Sequence, residues 1–270
     1  IGIILWSVCI CLVATAQEND TATLRKNKVY EVQQYQYVHA FETQDDSCVM
    51  RIKKVDSLGR MVYEKNDYRC SGVDSYQENY LTYEDEKLVR VDNLREGEAF
   101  MVTDYSYPRK GERPERVHTF FYQTHDSMTV LNTYFTHKRK DRLDSTYTVR
   151  KMQDGSTQRT RSYARYNKDG GLVQLYTVNE KGEPLEMITN EIGDDGEIAS
   201  VAYTTYGEYE NFMQTFYTYN AKGQVASTYN TVNQKQVFKY ADNGLITNIL
   251  MYNPKGKLEI EYIYKYKIRK

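Results

Sequence analysis

Tryptophan, proline, cysteine and histidine are all scarce in this chain. Of 270 residues, one is Trp, four are Pro, four are Cys and four are His. The prolines never gather with the 15 glycines into a linker, so no break in composition separates one domain from another. An excess of either charge is also missing: 36 Lys and Arg stand against 37 Asp and Glu, a formal net charge of −1. That balance supplies no overall attraction to a polyanion, and nucleic acid is not an expected partner. Mean hydropathy is −0.74. Beyond the first 16 residues no apolar run approaches the roughly 20 residues that a membrane-spanning helix needs. The motifs that mark the commoner catalytic sites are absent as well. There is no Gly-x-Ser-x-Gly elbow, no His-Glu-x-x-His pair, no P-loop and no Gly-x-Gly-x-x-Gly at a strand-to-helix junction, and no cofactor is expected.

What is present begins with an address. Ile1 to Ala16 carries no charge and is strongly apolar from Ile3 to Val13, and it ends in Ala14-Thr15-Ala16. Small residues three and one places before Gln17 fit the cleavage site of a secretory signal peptide, and the run is short for a membrane anchor. Neither Cys9, after Val8, nor Cys11, after Ile10, has the small preceding residue of a lipoprotein signal. The expectation is residues 1–16 as a signal peptide and an exported mature chain from Gln17, periplasmic, on the cell surface or secreted. With the leader gone, Cys48 and Cys70 remain, a disulfide candidate in an oxidising compartment. Each lies eleven residues from Gly59 of the turn Asp56-Ser57-Leu58-Gly59, so a hairpin folded there sets them roughly opposite. Two buried free thiols are the alternative.

The rest of the chain is organised by a returning turn. Tyr166-Asn167-Lys168-Asp169-Gly170-Gly171-Leu172 and Tyr219-Asn220-Ala221-Lys222-Gly223-Gln224-Val225 share a pattern with the segments 240–246 and 252–258. Weaker copies occupy 179–185 and 194–198. Gly supplies positive φ without steric cost, and the Asn or Asp before it caps the turn. Between turns the tyrosines recur two apart, as in Tyr35 and Tyr37, Tyr105 and Tyr107, Tyr217 and Tyr219, and Tyr262, Tyr264 and Tyr266. Residues i and i+2 share a face of a strand, so these form rows on one side of a sheet. No sustained helical periodicity occurs. The predicted fold is all-β: an elongated, curved antiparallel meander of consecutive hairpins, about 15 to 18 strands by the spacing of the turns. It curls towards a half-shell or barrel, because open sheets rarely exceed about 10 strands. Residues 17–270 are read as a single hairpin-repeat domain.

The segment Tyr217-Thr218-Tyr219-Asn220-Ala221-Lys222-Gly223-Gln224-Val225 resembles the YD repeat of Rhs-type proteins, and Tyr166 to Leu172 and Tyr252 to Leu258 look similar. The likeness fades upstream of about Met152 and covers less than half the chain. It is also similar to exported, tyrosine-rich repeat proteins of Bacteroidetes. The resemblance implies long coiled β-sheets that enclose or display other molecules and have no catalysis of their own.

Candidate chemistry is thin. His118 and His125 are seven apart and fall on opposite faces of a continuous strand, while His137 could meet one of them across a hairpin; no metal site is expected from them. Carboxylates such as Glu208, Glu210, Glu259 and Glu261 suit solvated strand positions as well as a catalytic pair. The basic stretches 137–142 and 265–270 fit solvated tips and edges. The tyrosine rows remain, either as a cross-strand ladder in the core or as a stacking surface for a glycan or peptide. Tyr217, Tyr219, Tyr262, Tyr264 and Tyr266 are the candidate binding residues. The function expected is a non-catalytic binding or scaffolding module of the cell envelope, contacting glycan or protein through a tyrosine-rich face. A polysaccharide hydrolase with an unrecognised carboxylate pair is the alternative.

Overall fold

The computed structural model describes residues 20–39, 48–109, 111–137, 142–207 and 210–270. The proposed signal peptide, Glu208 and most of the basic stretch at 137–142 lie outside the described residues. Among those described, the chain forms eighteen strands and one short α-helix, so the expected all-β antiparallel meander is the fold found. Its contacts divide into two compact units, one holding residues up to Tyr76 together with Thr215–Lys270, the other Gln77–Gln214.

The first unit contains helix α1 (Thr21–Lys26) and strands β1 (Val29–Val38), β2 (Cys48–Val55) and β3 (Met61–Asp67) from the start of the chain. From its end come most of β14 (Asn211–Tyr219) and all of β15 (Val225–Asn230), β16 (Lys235–Tyr240), β17 (Ile246–Tyr252) and β18 (Leu258–Ile268). Consecutive strands pair antiparallel, and β1 lies between β18 and β2. The first and last strands are thus hydrogen-bonded neighbours, and neither β1 nor β18 is left as a free edge. The second unit is an unbroken run of antiparallel pairs. It comprises β4 (Tyr76–Glu84), β5 (Lys87–Arg95), β6 (Glu98–Ser106), β7 (Arg116–Phe121), β8 (Asp126–His137), β9 (Arg142–Met152), β10 (Thr157–Tyr166), β11 (Leu172–Asn179), β12 (Pro184–Ile192) and β13 (Ile198–Thr205).

The repeated turn has one geometry. At Asn220 the backbone N–H donates to the Gln224 carbonyl at 2.8 Å, and the Gly223 N–H returns to the Asn220 carbonyl at 3.0 Å. The Asn220 side-chain oxygen accepts from the N–H groups of Lys222 and Gln224 at 2.9 and 3.1 Å. Gly223 sits at φ +74°, the left-handed value that closes this loop and that glycine adopts most cheaply. The same pair of backbone bonds recurs at Asp56, Asn179 and Asn253. It recurs too at Asn230, where Asn233 takes the left-handed position in place of glycine. That is a turn hidden in the long interval between Gly223 and Gly244. The sequence Glu84-Asp85-Glu86-Lys87 also turns without glycine, with Asp85 and Glu86 both at positive φ in a two-residue hairpin.

A second device closes the strand ends. The Tyr240 hydroxyl, at the end of β16, donates to the Val225 carbonyl at the start of β15, 2.9 Å away. Tyr107 to Leu88, Tyr134 to Pro114 and Tyr166 to Leu143, each at 2.9 Å, and Tyr266 to Ile246 at 2.5 Å, repeat it. Each hydroxyl satisfies a carbonyl at or just before the start of the preceding strand.

Candidate functional site

In the first unit, residues paired across strands show which side chains share a face. Tyr217 pairs with Thr228, Thr228 with Gln236, Gln236 with Met251, and Met251 with Ile260. Ile260 alternates with Tyr262, Tyr264 and Tyr266, and Tyr219 lies two beyond Tyr217. All five candidate tyrosines are therefore brought to one face: the spacing sets the row on each strand, and the pairing joins the rows. That face is the core of the unit. It holds Val225, Phe238, Ile246 and Ile249, all buried, and Tyr217 is 9% exposed. Burial pushes the hydroxyl pKa values of Tyr217 and Tyr262 up. Tyr264 and Tyr266 pack on a cluster of Leu24, Val29, Val32, Val55 and Leu245. The opposite face carries Glu31, Gln33, Lys265 and Lys267, with the Lys265 ammonium 4.2 Å from the Tyr35 ring centroid and the Lys267 ammonium 2.8 Å from Glu31.

Helix α1 completes that core at one end. Asp20 is its N-cap and Arg25 and Lys26 occupy its last turn, so local signals set its length. Six residues are too few to be helical alone, and docking must hold it. Leu24 enters the cluster, Asn27 donates to the Asn243 carbonyl at 3.2 Å, and the β2–β3 turn abuts the helix backbone at Gly59. A cavity of about 190 Å³ lies beneath, lined by Leu24, Val32, Val55, Met61, the Tyr264 ring, and the polar side chains Gln34, Arg51 and Lys53. Arg51 and Lys53 are two apart on β2 and share a face with Glu64, their cross-strand neighbour on β3. Glu64 is buried, accepts from Arg51 Nε at 2.6 Å and lies 3.9 Å from Lys53 Nζ. A single held carboxylate is not the facing pair that glycoside hydrolysis uses.

Across the β2–β3 hairpin, Cys48 and Cys70 form the expected disulfide, with Cα atoms 5.5 Å apart. The register shift at Lys54/Val55 displaces strict opposition by one residue. Cys70 sits just past β3 in a 3-10 turn, Tyr68–Ser71, and the bond ties off the open end of the hairpin.

In the second unit the exposed aromatics lie elsewhere than the predicted rows. Phe135 on β8 pairs with Ser145 on β9, and Ser145 with Tyr163 on β10, so the two rings flank a small residue on one face. The Arg161 guanidinium lies 5.5 Å from each ring centroid. Phe135 is 43% and Tyr163 40% exposed, while Ser145 beneath them is 3% exposed. An arginine held between two solvent-facing rings offers stacking surface and a planar set of donors together. Periodicity could not single it out, because the three residues come from strands whose register only the fold supplies.

The histidines do not converge. His118 hydrogen-bonds Thr129 at 2.9 Å, His125 occupies a turn at φ +55°, His39 faces Glu261 at 3.6 Å, and the His137 side chain lies outside the described residues. Among the described residues no group of three or more His, Cys, Asp or Glu could hold a metal ion. Glu259 and Glu261 are spent on Asn253 and Asn248, at 2.9 and 2.8 Å.

Fold and sites together define an all-β antiparallel hairpin meander with a helix-covered cavity in one unit and an exposed aromatic–arginine cluster in the other. No protein-family model matches the chain, and no curated protein does. Among solved structures it is similar to a porin-like protein from Bacteroides uniformis, at 11% identity and a TM-score of 0.46 over 88% of this chain and 98% of that one. A porin-like protein from Bacteroides vulgatus matches at 10% identity and a TM-score of 0.33, with the same coverages of 88% and 98%. The TcdB2-TccC3 complex without its hypervariable C-terminal region matches at 10% and 0.37, over 78% of this chain and 12% of that one. Likenesses this faint say nothing about what the chain binds or does.

Proposed function

We propose that the protein is a non-catalytic, exported binding or scaffolding module of the cell envelope that contacts glycan or protein through an aromatic sheet face. The observation that carries this reading is the Phe135–Arg161–Tyr163 cluster: two exposed rings bracketing a guanidinium over a buried serine. The site moves from the five tyrosines of the first unit, whose burial suits a core, to this cluster. The disulfide supports export, since such bonds persist in oxidising compartments. The resemblance of the turn units to YD repeats supports a displaying rather than a catalytic role.

A lipid-facing strand is a poor fit to either face of β10. One carries Arg159, Arg161 and Arg165, and the other Gln158, Thr160 and Ser162. Each arginine held against the middle of a bilayer costs about 2–4 kcal/mol. The module is therefore read as facing water.

The test is a thermal-shift screen of the mature chain against neutral and acidic glycans. A ligand at one hundred times its dissociation constant adds about 2.7 kcal/mol, a readable rise in melting temperature. The expected result is a shift for one glycan class that disappears in the double variant F135A/Y163A. A shift that the double variant keeps overturns the aromatic face as the site, and a panel without any shift overturns the glycan ligand and leaves protein as the partner to test.

A further inference from the structure

The aromatic cluster of the second unit sits in a row of cations. On the face that Phe135, Ser145 and Tyr163 share, the paired residues of β8, β9 and β10 include Lys151, Arg159, Arg161 and Arg165 and no carboxylate. All four cations are exposed. Among the described residues, Arg159 meets Glu180 of the β11–β12 turn at 3.0 Å, an exposed pair of little strength, and Arg165 donates to the Gln174 side-chain oxygen at 3.3 Å. The Arg161 guanidinium is set, among the described residues, against the two rings and no carboxylate. One carboxylate against four cations leaves this face positive. From Arg159 to Arg165 the row runs six residue steps of extended strand, about 20 Å.

We propose that this face binds an acidic glycan, a chain of sugars that carry carboxylates; the proposal rests on the aromatic face being the contact surface. A pyranose lays its C–H face on Phe135 or Tyr163, and its carboxylate is received by the planar donors of Arg161 between them. Lys151, Arg159 and Arg165 attract the carboxylates of neighbouring sugars along the row. Charge decides against a neutral glycan. A ligand stacked on the rings covers the guanidinium and strips its water. A neutral sugar then leaves that charge without an ionic partner, whereas a carboxylate supplies one. An acidic stretch of peptide matches the charge but offers the two rings no flat apolar face.

Isothermal titration of the full chain with an oligomer of galacturonic acid, the same oligomer with its carboxyl groups reduced to alcohols, and poly-glutamate tests this. The expected result is that the acid form binds about tenfold or more tighter than the reduced form and than poly-glutamate, with an advantage that shrinks as salt is raised. Arg161→Gln should remove most of that advantage. Arg161→Lys should keep only part of it, because an ammonium lacks the bidentate fork, with urea midpoints confirming that both variants fold. Equal binding of the acid and reduced forms, or an advantage that Arg161→Gln keeps, overturns the proposal; loss of that binding in F135A/Y163A would still leave the aromatic face standing. Poly-glutamate binding as tightly as the acid oligomer overturns it in favour of an acidic protein segment. No heat with either oligomer overturns it as well, and an acid affinity that F135A/Y163A keeps overturns both this proposal and the aromatic face.

Discussion

Gly59 is where the fold of the first unit is most exposed to a single methyl group. Its φ of +81° is the left-handed value, and a Cβ there would lie 2.4 Å from the Thr21 carbonyl oxygen, 3.1 Å from the Arg25 nitrogen and 3.2 Å from the Arg25 Cβ. Gly223 occupies the equivalent position of another turn in the same unit at φ +74°, with nothing within 4 Å of its Cβ. Gly223→Ala therefore reports the backbone cost alone, about 1–2 kcal/mol. Gly59→Ala bears the same cost and a collision with helix backbone, which cannot rotate aside as a side chain could. The helix must lift, and Leu24 then loses some or all of a burial worth about 1.5–3 kcal/mol. The difference between the two variants is expected at about 2 kcal/mol. Urea unfolding with the disulfide intact, followed by tyrosine fluorescence and circular dichroism, measures it. Equal losses would refute the reasoning, because they would mean that α1 contributes nothing through its contact with the β2–β3 turn.

Two further outcomes follow from the same hairpin. Cys48 and Cys70 are 22 apart in sequence, and removing their bond as C48A/C70A should cost about 3 kcal/mol through the loop-closure entropy returned to the unfolded chain, read as a lower urea midpoint. Asp56 caps the β2–β3 turn: burial raises its pKa, but hydrogen bonds from the Arg60 side chain and from the Arg60 and Leu58 backbone outweigh that and leave it below the ordinary 3.8. A depressed carboxylate contributes stability that is fully present above its unfolded pKa and lost as pH falls through the folded value. Urea midpoints should thus decline below about pH 4, and less steeply in Asp56→Asn; an unchanged slope in that variant would remove Asp56 from the account.

The hairpins were legible because the turn chemistry is local. An Asn or Asp that caps its own loop and a glycine three residues on are written within five residues, and the structure places each such glycine at positive φ. The copy at Tyr83-Glu84-Asp85-Glu86-Lys87-Leu88 is legible even without its glycine, whereas the turn made by Asn233 is hidden because a non-glycine residue takes the left-handed position, at a cost that tertiary pairing must supply. Helix α1 was missed for a similar reason: Asp20 is a sound N-cap, but six residues with one buried leucine carry no periodicity. The cavity and the arginine cluster need contacts between strands and lie beyond any reading of spacing.

The tyrosines show how one pattern can serve two roles. Their period of two sets Tyr217 with Tyr219, and Tyr262 with Tyr264 and Tyr266, on a face of each strand, and the pairing of the strands joins the two rows, but period alone does not say whether that face is wet. The hydroxyl–carbonyl bonds at the strand ends, Tyr266 among them, give one structural reason for a tyrosine there. A meander of short hairpins has many strand starts, and each leaves a carbonyl at the margin of the ladder. Phenylalanine there would leave the carbonyl without a donor, at a cost of about 1–3 kcal/mol where water is excluded. Tyrosine supplies one, as Tyr240 does for Val225 and Tyr266 for Ile246. Five of the 27 tyrosines make this bond, one structural reason for a chain with 27 tyrosines and 8 phenylalanines. Composition alone was never evidence for a binding face. That evidence lies in the few rings, Phe135 and Tyr163 among them, that the fold leaves in water with an arginine between them.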